Sequence, residues 1–355
     1  MSAVFITFAP LLTIDNMKEW LFGKTLSELE TVVSKLGMPR FTARQIADWL
    51  YKKQVKSIDE MTNISVKNRQ TLAENYTLGV IEPTSVQTSK DGTKKYLFQT
   101  LQGRAIESAY IPDKDRATLC VSSQAGCRMG CRFCMTARQG FQHNLTAGEI
   151  VNQIRSLPER DTLTNVVYMG MGEPMDNLEE VLKSLEILTS DWGYGWSASR
   201  ITVSTIGVLP ALKTFLEQTK VHLAVSLHNP FADERQAMMP AQHAHPIAEI
   251  MAEIKRHDFA HQRRVSFEYI LFAGQNDTPR HIKEFTRLAG GLKCRVNLIR
   301  WHEIPGAEFP GSNEQSMIRF RDTLTEKGVI ATIRTSRGED IDAACGMLST
   351  KNQSS

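Results

Sequence analysis

The sequence predicts an α/β protein. Its main domain consists of parallel strands with crossover helices, in an open sheet or a partial barrel, behind a small helical domain and a short β meander. Three observations predict this. Six short β-branched apolar runs alternate with helix-like stretches between residues 117 and 310. The apolar pattern is helical before residue 83 and becomes alternating between 84 and 111. The 355 residues, 41% hydrophobic and 23% charged, exceed one average domain and suffice for a full-sized core.

Residues 1–83 read as the helical unit. "FTARQIADWLYKK" suggests a capping box between Thr42 and Gln45, with Phe41 and Ile46 as a hydrophobic staple. Ile46, Trp49 and Leu50 share one face, which leaves Arg44, Lys52 and Lys53 to solvent. A second helix is expected from Ser65 to about Tyr76. Lys35, Arg40, Arg44, Lys52, Lys53 and Lys56 face a single acid, Asp48, in this stretch, although the whole chain carries only +3. Such a run suits a solvated helix face as well as a nucleic acid.

Residues 84–116 form the meander, with turns at "KDGTK" and "LQGR"; Asp-Gly is a strong hairpin signal. The strand-like runs that follow are "ATLCVSS", "NVVYMGMG", "RITVSTIG", "VHLAVSLH", "RVSFEYILF" and "CRVNLIRW". Helices fall between several of them, including "TAGEIVNQIRSL" with a Thr146/Glu149 capping box and "NLEEVLKSLEILTS". Residues 311–355 add a further strand and a tail whose polar end is expected to fray. The apolar "VFITFAPLL" is short, lacks a preceding basic stretch and contains Pro10, so neither a signal peptide nor a membrane span is expected. The expected compartment is the cytoplasm, where clustered thiols indicate metal binding or catalysis rather than disulfides.

Four of the six cysteines lie in "LCVSSQAGCRMGCRFCMTARQGF", three of them (Cys127, Cys131, Cys134) spaced C-x3-C-x2-C. A structural zinc site wants four ligands, commonly two C-x-x-C pairs. No second pair exists here, though Cys120 or His143 could complete a set. An iron–sulfur cluster held by three thiolates leaves one iron open, which the amino and carboxylate groups of S-adenosylmethionine can chelate. "GMGEP" ends the next strand-like run, where Gly172 allows close backbone approach and Glu173 can accept from an ammonium group. Ser204, Ser226, His228 and Asn297 also fall at or near the C-terminal ends of strands, where open α/β sheets bind ligands.

Together "RATLCVSSQAGCRMGCRFCMTARQGF", "NVVYMGMGEPMDN", "RITVSTIGV", "AVSLH" and "RGEDIDAACG" resemble the RlmN/Cfr family of radical S-adenosylmethionine RNA methyltransferases, from about Glu107 to Leu348. The resemblance implies a partial (β/α)6 radical-SAM barrel over 117–310 and one [4Fe-4S] cluster on Cys127, Cys131 and Cys134. It implies S-adenosylmethionine contacts from Gly172, Glu173, Ser204, Ser226, His228 and Asn297. Cys345 would carry the methyl group, Cys120 would pair with it as a disulfide, and Glu107 would accept a proton. Two S-adenosylmethionine molecules would be consumed per turnover, one methylating Cys345 and one cleaved to a radical that activates that methyl toward the adenine ring.

The implied substrates are 23S rRNA, at an adenosine of the peptidyl-transferase centre, and tRNA, at the adenosine 3′ of the anticodon. Methylation would fall on adenine C2, with the C8 chemistry of the Cfr branch as the alternative. The implied electron donor is a low-potential flavodoxin or ferredoxin type. A reading from another class is a zinc-containing, non-catalytic RNA-binding protein. Cys294 reads as a core thiol. The chain departs from many relatives after Asn297: "NLIRWHEIPG" puts Arg300 and His302 where those read proline and asparagine.

Overall fold

The computed structural model describes residues 18–350 apart from 263 and 307, so "VFITFAPLL" and the extreme C-terminus lie outside the described residues. The chain forms two compact units, Met1–Gly79 and Val80–Ser355.

In the first unit β1 (Glu19–Trp20) pairs in parallel with β2 (Tyr76–Thr77), and α1 (Leu26–Lys35), α2 (Phe41–Ala47) and α3 (Val66–Asn75) lie between them in sequence. Thr25 and Glu28 close a capping box on α1, and Ser65 caps α3. The expected box at Thr42 does not form. The chain is already helical at Arg40, and Thr42 N–H donates to Pro39 O, so Thr42 lies inside the helix and is buried. The staple fails with it: Phe41 is 66% exposed, and Gln45 instead donates to Asn63 O. A π-helical segment, Asp48–Lys53, continues α2 and ends at Gln54 in the left-handed region. Ile46, Leu50, Leu29 and Leu72 are buried, while Lys35, Arg44, Lys52, Lys53 and Lys56 are exposed.

The second unit is built on a ten-stranded sheet. β3 (Ser85–Thr88), β4 (Lys94–Gln99), β5 (Ala105–Asp113) and β6 (Arg116–Cys120) are antiparallel neighbours. A small hairpin of β7 (Gln124–Ala125) and β8 (His143–Asn144) follows, with α4 (Met135–Gln139) between them. The main sheet then continues in parallel from β6 through β9 (Asn165–Tyr168), β10 (Ile201–Thr205), β11 (His222–Ser226), β12 (Val265–Ile270), β13 (Cys294–Ile299) and β14 (Ile330–Ile333). All six expected runs are strands, and β14 is the further strand expected after them.

The crossovers carry α5 (Ala147–Arg155), α6 (Leu178–Thr189), α7 (Leu209–Gln218), α8 (Ala232–Met238), α9 (Ile247–Ile254), α10 (Pro279–Leu288) and α11 (Glu314–Glu326). The Thr146/Glu149 box caps α5. Helices pack on near neighbours, α5 on α6, α6 on α7, α7 on α9 and α10 on α11, covering strands whose Val166, Val203, Leu223, Val265, Val296 and Leu298 are fully buried. On β9, β10 and β13 fully buried positions alternate with less buried ones, so only one face of these strands is sealed in the core. The sheet ends at β3 and β14, which do not pair, so it is an open, partial barrel. No described helix is long and apolar enough to cross a membrane.

Candidate active site

Residues at the C-terminal ends of the parallel strands line one cavity of about 460 Å³ in the second unit. Contributions run from Cys120 on β6 across the sheet to Arg334 after β14, so the sheet curves around this space. Its volume lies within the usual range for small-molecule sites.

The thiol loop leaves β7 and closes with α4. Cys127 and Cys131 are each only 8% exposed and Cys134 is half-buried; all three line the cavity. Burial pushes the Cys127 thiol up to about 12, and the Cys134 charge adds to this. Cys131 is raised for the same reasons, with the nearby Arg235 guanidinium opposing. Among the described residues, no three His, Cys, Asp or Glu side chains converge on a point that would hold a single ion. His143, considered as a fourth zinc ligand, has both ring nitrogens buried without a hydrogen bond.

Opposite this loop, Gly172 has φ +97, and a Cβ there would come 2.5 Å from the Gln124 Cβ. Only glycine fits, and the approach lets Gln124 accept from Glu173 N–H at 2.8 Å. The Glu173 carboxylate accepts from Met175 N–H (3.0 Å) and Ile206 N–H (2.9 Å), tying β9's end to β10's. Burial pushes Glu173 up to about 7 despite these donors. Ser204 and Ser226 are half-buried on the cavity wall.

His228 is held at φ +54, a rare conformation for a non-glycine residue. Its Nδ1 accepts from Ile270 N–H at 3.0 Å, and its ring meets Phe133 edge-on. Burial lowers it to about 3. The imidazole is therefore neutral, with its proton on Nε2.

On the far wall Cys120 and Cys345, 225 residues apart in sequence, line the same cavity and influence each other electrostatically. Burial pushes Cys120 up to about 12. Cys345 lines the cavity; the low-polarity surroundings of its thiol raise it, by burial first, while the Arg334 guanidinium draws it down. Arg334 reaches Glu268 at 3.4 Å.

Two of the expected residues are not among those lining the cavity. Asn297 donates to Glu268 Oε1 (2.7 Å) and accepts from Thr332, so it meets the cavity through Glu268. Glu107 is fully buried on β5, 3.3 Å from Lys95 Nζ, and accepts from Ser349 N–H at 3.0 Å. Burial raises its carboxyl, with Lys95 opposing.

Glu268 and Arg235 were not singled out from sequence, and Arg334 was read only as part of the basic stretch "RTSRG" suited to an RNA backbone. Glu268 did carry a signal, a lone carboxylate inside the apolar run "RVSFEYILF". Arg235 carried none. It is fully buried on α8 and donates to the carbonyls of Leu227, Ile206 and Ser226 and to Gln242 Oε1, clamping the ends of β10 and β11.

The Radical SAM superfamily model matches residues 121–288, and the model of the ribosomal RNA large subunit methyltransferase N-terminal domain matches residues 20–78. A Bacteroides fragilis protein named probable dual-specificity RNA methyltransferase RlmN is 57% identical over 333 residues, 94% of this chain and 97% of that relative. The chain belongs to the RlmN family of radical S-adenosylmethionine RNA methyltransferases. A more distant member, the dual-specificity RNA methyltransferase RlmN of Syntrophus aciditrophicus, is 41% identical over 92% of this chain and 95% of its own length. The crystal structure of a radical SAM methyltransferase from Sphaerobacter thermophilus superposes with a TM-score of 0.86, at 41% identity, over 93% of this chain and 99% of that one. The protein is thus an S-adenosylmethionine-dependent RNA methyltransferase with the radical SAM fold, and its family works with an iron–sulfur cluster.

The residues present suit such a cluster. Cys127 and Cys131 are buried and costly to ionise alone, Cys134 lies near both, and a polynuclear cation would stabilise the trio as thiolates.

Proposed function

We propose that this enzyme methylates C2 of an adenosine in both 23S rRNA and tRNA, using Cys345 as a covalent methyl carrier. The observation that carries the reading is the meeting of Cys345, Cys120 and the thiol trio around one cavity. Dual specificity is supported by the names of relatives up to 57% identical over nearly the whole chain.

In this reading Cys127, Cys131 and Cys134 hold one [4Fe-4S] cluster. Gly172, Glu173, Ser204, Ser226 and His228 line the space for S-adenosylmethionine, and Asn297 orients Glu268 beside it. When bound, the cluster and S-adenosylmethionine supply the methyl group and the carbon-centred radical. The chain's own residues do the rest. Neutral His228 offers an N–H donor fixed by Ile270. Arg334 stabilises the Cys345 thiolate, and Glu268 holds Arg334.

Cys345 keeps the transferable carbon as a thioether. At release Cys120, giving up its thiol proton as it does so, attacks the Cys345 sulfur. An S–S bond forms, the S–C bond breaks, and its electron pair stays with the carbon, which takes up a proton to complete the methyl group. The bond requires α-carbons within about 6 Å. Glu107, its carboxyl raised by burial, is the assigned acceptor of the ring proton. An external low-potential donor of flavodoxin or ferredoxin type supplies the electron. The exposed lysines and Arg44 of the first unit meet RNA phosphates, so binding weakens with salt.

The test is mass spectrometry of RNA from a deletion strain complemented with this protein. Restored C2-methyladenosine in both RNAs is the expected result. A C8 product, or no product in either RNA, would overturn the proposal.

A further inference from the structure

Arg300 and His302 have a specific place in the fold. β13 and β14 are parallel neighbours whose backbone ladder closes with Arg334 N–H donating to Leu298 O at 2.9 Å. Beyond that point the two chains would separate, but side chains continue the pairing. Arg300 Nη1 donates to Arg334 O at 3.0 Å, while its Nε and Nη2 grip the Glu314 carboxylate at the start of α11. Two residues further on, His302 Nε2 shares a hydrogen bond of 2.8 Å with Ser336 Oγ. Trp301 between them packs on Phe272, which anchors the loop to the core.

The segment braced this way leads directly to Cys345. It is next held by the meander turn: Gly338 N–H donates to Asp91, and Ser89 Oγ and Lys90 N–H donate to Asp340. Past Cys345, Thr136 Oγ1 donates to Leu348 O, and Ser349 N–H donates to Glu107. Cys345 thus sits on an arm fastened on both sides, and the first fastening sets its direction of exit from the sheet. The donors of Arg300 are already directed at Glu314 and Arg334, which argues against a primary role in gripping phosphate.

We propose that Arg300 and His302 are positioning residues that extend the β13–β14 ladder and thereby hold the Cys345 arm facing Cys120. The proposal rests on the reading of Cys345 as the methyl carrier with Cys120 as its partner.

The test uses RNA-free, cluster-loaded enzyme under anaerobic conditions. Oxidised glutathione is added and peptide mapping follows Cys120–Cys345 disulfide formation; the two thiols are oxidised as glutathione disulfide is reduced to two glutathione molecules. Losing one side-chain hydrogen bond should slow closure about fivefold in His302→Ala. His302→Gln should restore it. Ser336→Ala should also slow it, by no more than His302→Ala, and the double variant no further than His302→Ala, because Ser336 acts through His302, which also lies 3.8 Å from Glu339. Arg300→Ala should slow closure with unchanged RNA affinity.

Unchanged closure in His302→Ala and Ser336→Ala, or fully additive losses, would overturn the proposal. So would weakened RNA binding with normal closure, which would make the pair an RNA-binding element. If His302→Ala does not fold, Ser336→Ala alone decides. Failure of the underlying reading looks different: Cys345 would acquire no label from methyl-labelled S-adenosylmethionine, whatever the closure rates.

Discussion

Replacing Arg235 by Met tests whether a buried cation shapes the cavity from behind. The guanidinium donates to four acceptors, Leu227 O (3.1 Å), Gln242 Oε1 (2.7 Å), Ile206 O (2.9 Å) and Ser226 O (3.2 Å). Methionine fills similar space but offers no donor. At about 1 kcal/mol for each acceptor left unmet, the loss is about 4 kcal/mol. Burial opposes the charge, lowering Arg235 to about 10, so removing it returns part of that loss.

A net destabilisation of about 2–3 kcal/mol remains, which for a unit of this size lowers Tm by about 5 °C. Because the freed carbonyls belong to the turns after Ser204 and Ser226, S-adenosylmethionine affinity should fall along with Tm. Circular dichroism melts and equilibrium dialysis measure the two. An unchanged Tm with unchanged affinity would refute the clamp; an unchanged affinity alone would confine Arg235 to stability.

Glu173→Gln should flatten the pH dependence of stability in cluster-free protein. Its carboxyl rises from 4.5 to about 7, so across that window the native state keeps a proton that the unfolded chain releases, and stability falls as pH rises. The wild type should lose about 3 kcal/mol more than the variant over this range, read from urea melts; parallel curves would contradict the assignment. Gly172→Ala should drive a Cβ into Gln124 at a positive φ, costing about 1–3 kcal/mol and breaking the Gln124–Glu173 bond. A wild-type melt would mean the turn relaxes freely. Changing Lys52, Lys53 and Lys56 to Ala should reduce the slope of log affinity against log salt by about one for each phosphate no longer neutralised. Unaltered slopes would remove that face from the RNA interface.

Much of the fold was legible because its signals are local. The parallel strands carry apolar residues at the positions their alternating burial seals in the core, and the Thr146/Glu149 box marks a helix start wherever the preceding chain is extended. The same motif logic failed at Thr42 because Pro39 and Arg40 had already turned the chain helical. The thiol trio and GMGEP were legible as close spacings with few other uses. Arg235, and the fastening of the arm by Asp91, Glu107, Arg300 and His302, were not. They join segments up to 247 residues apart, and no local pattern records which group a distant side chain will reach.

The most direct measurement is mass spectrometry of the Cys345 peptide from enzyme given methyl-deuterated S-adenosylmethionine without RNA. The account expects one deuterated methyl group on the Cys345 sulfur, lost when RNA and reductant are added. An unmodified Cys345 in enzyme that still methylates RNA would contradict it.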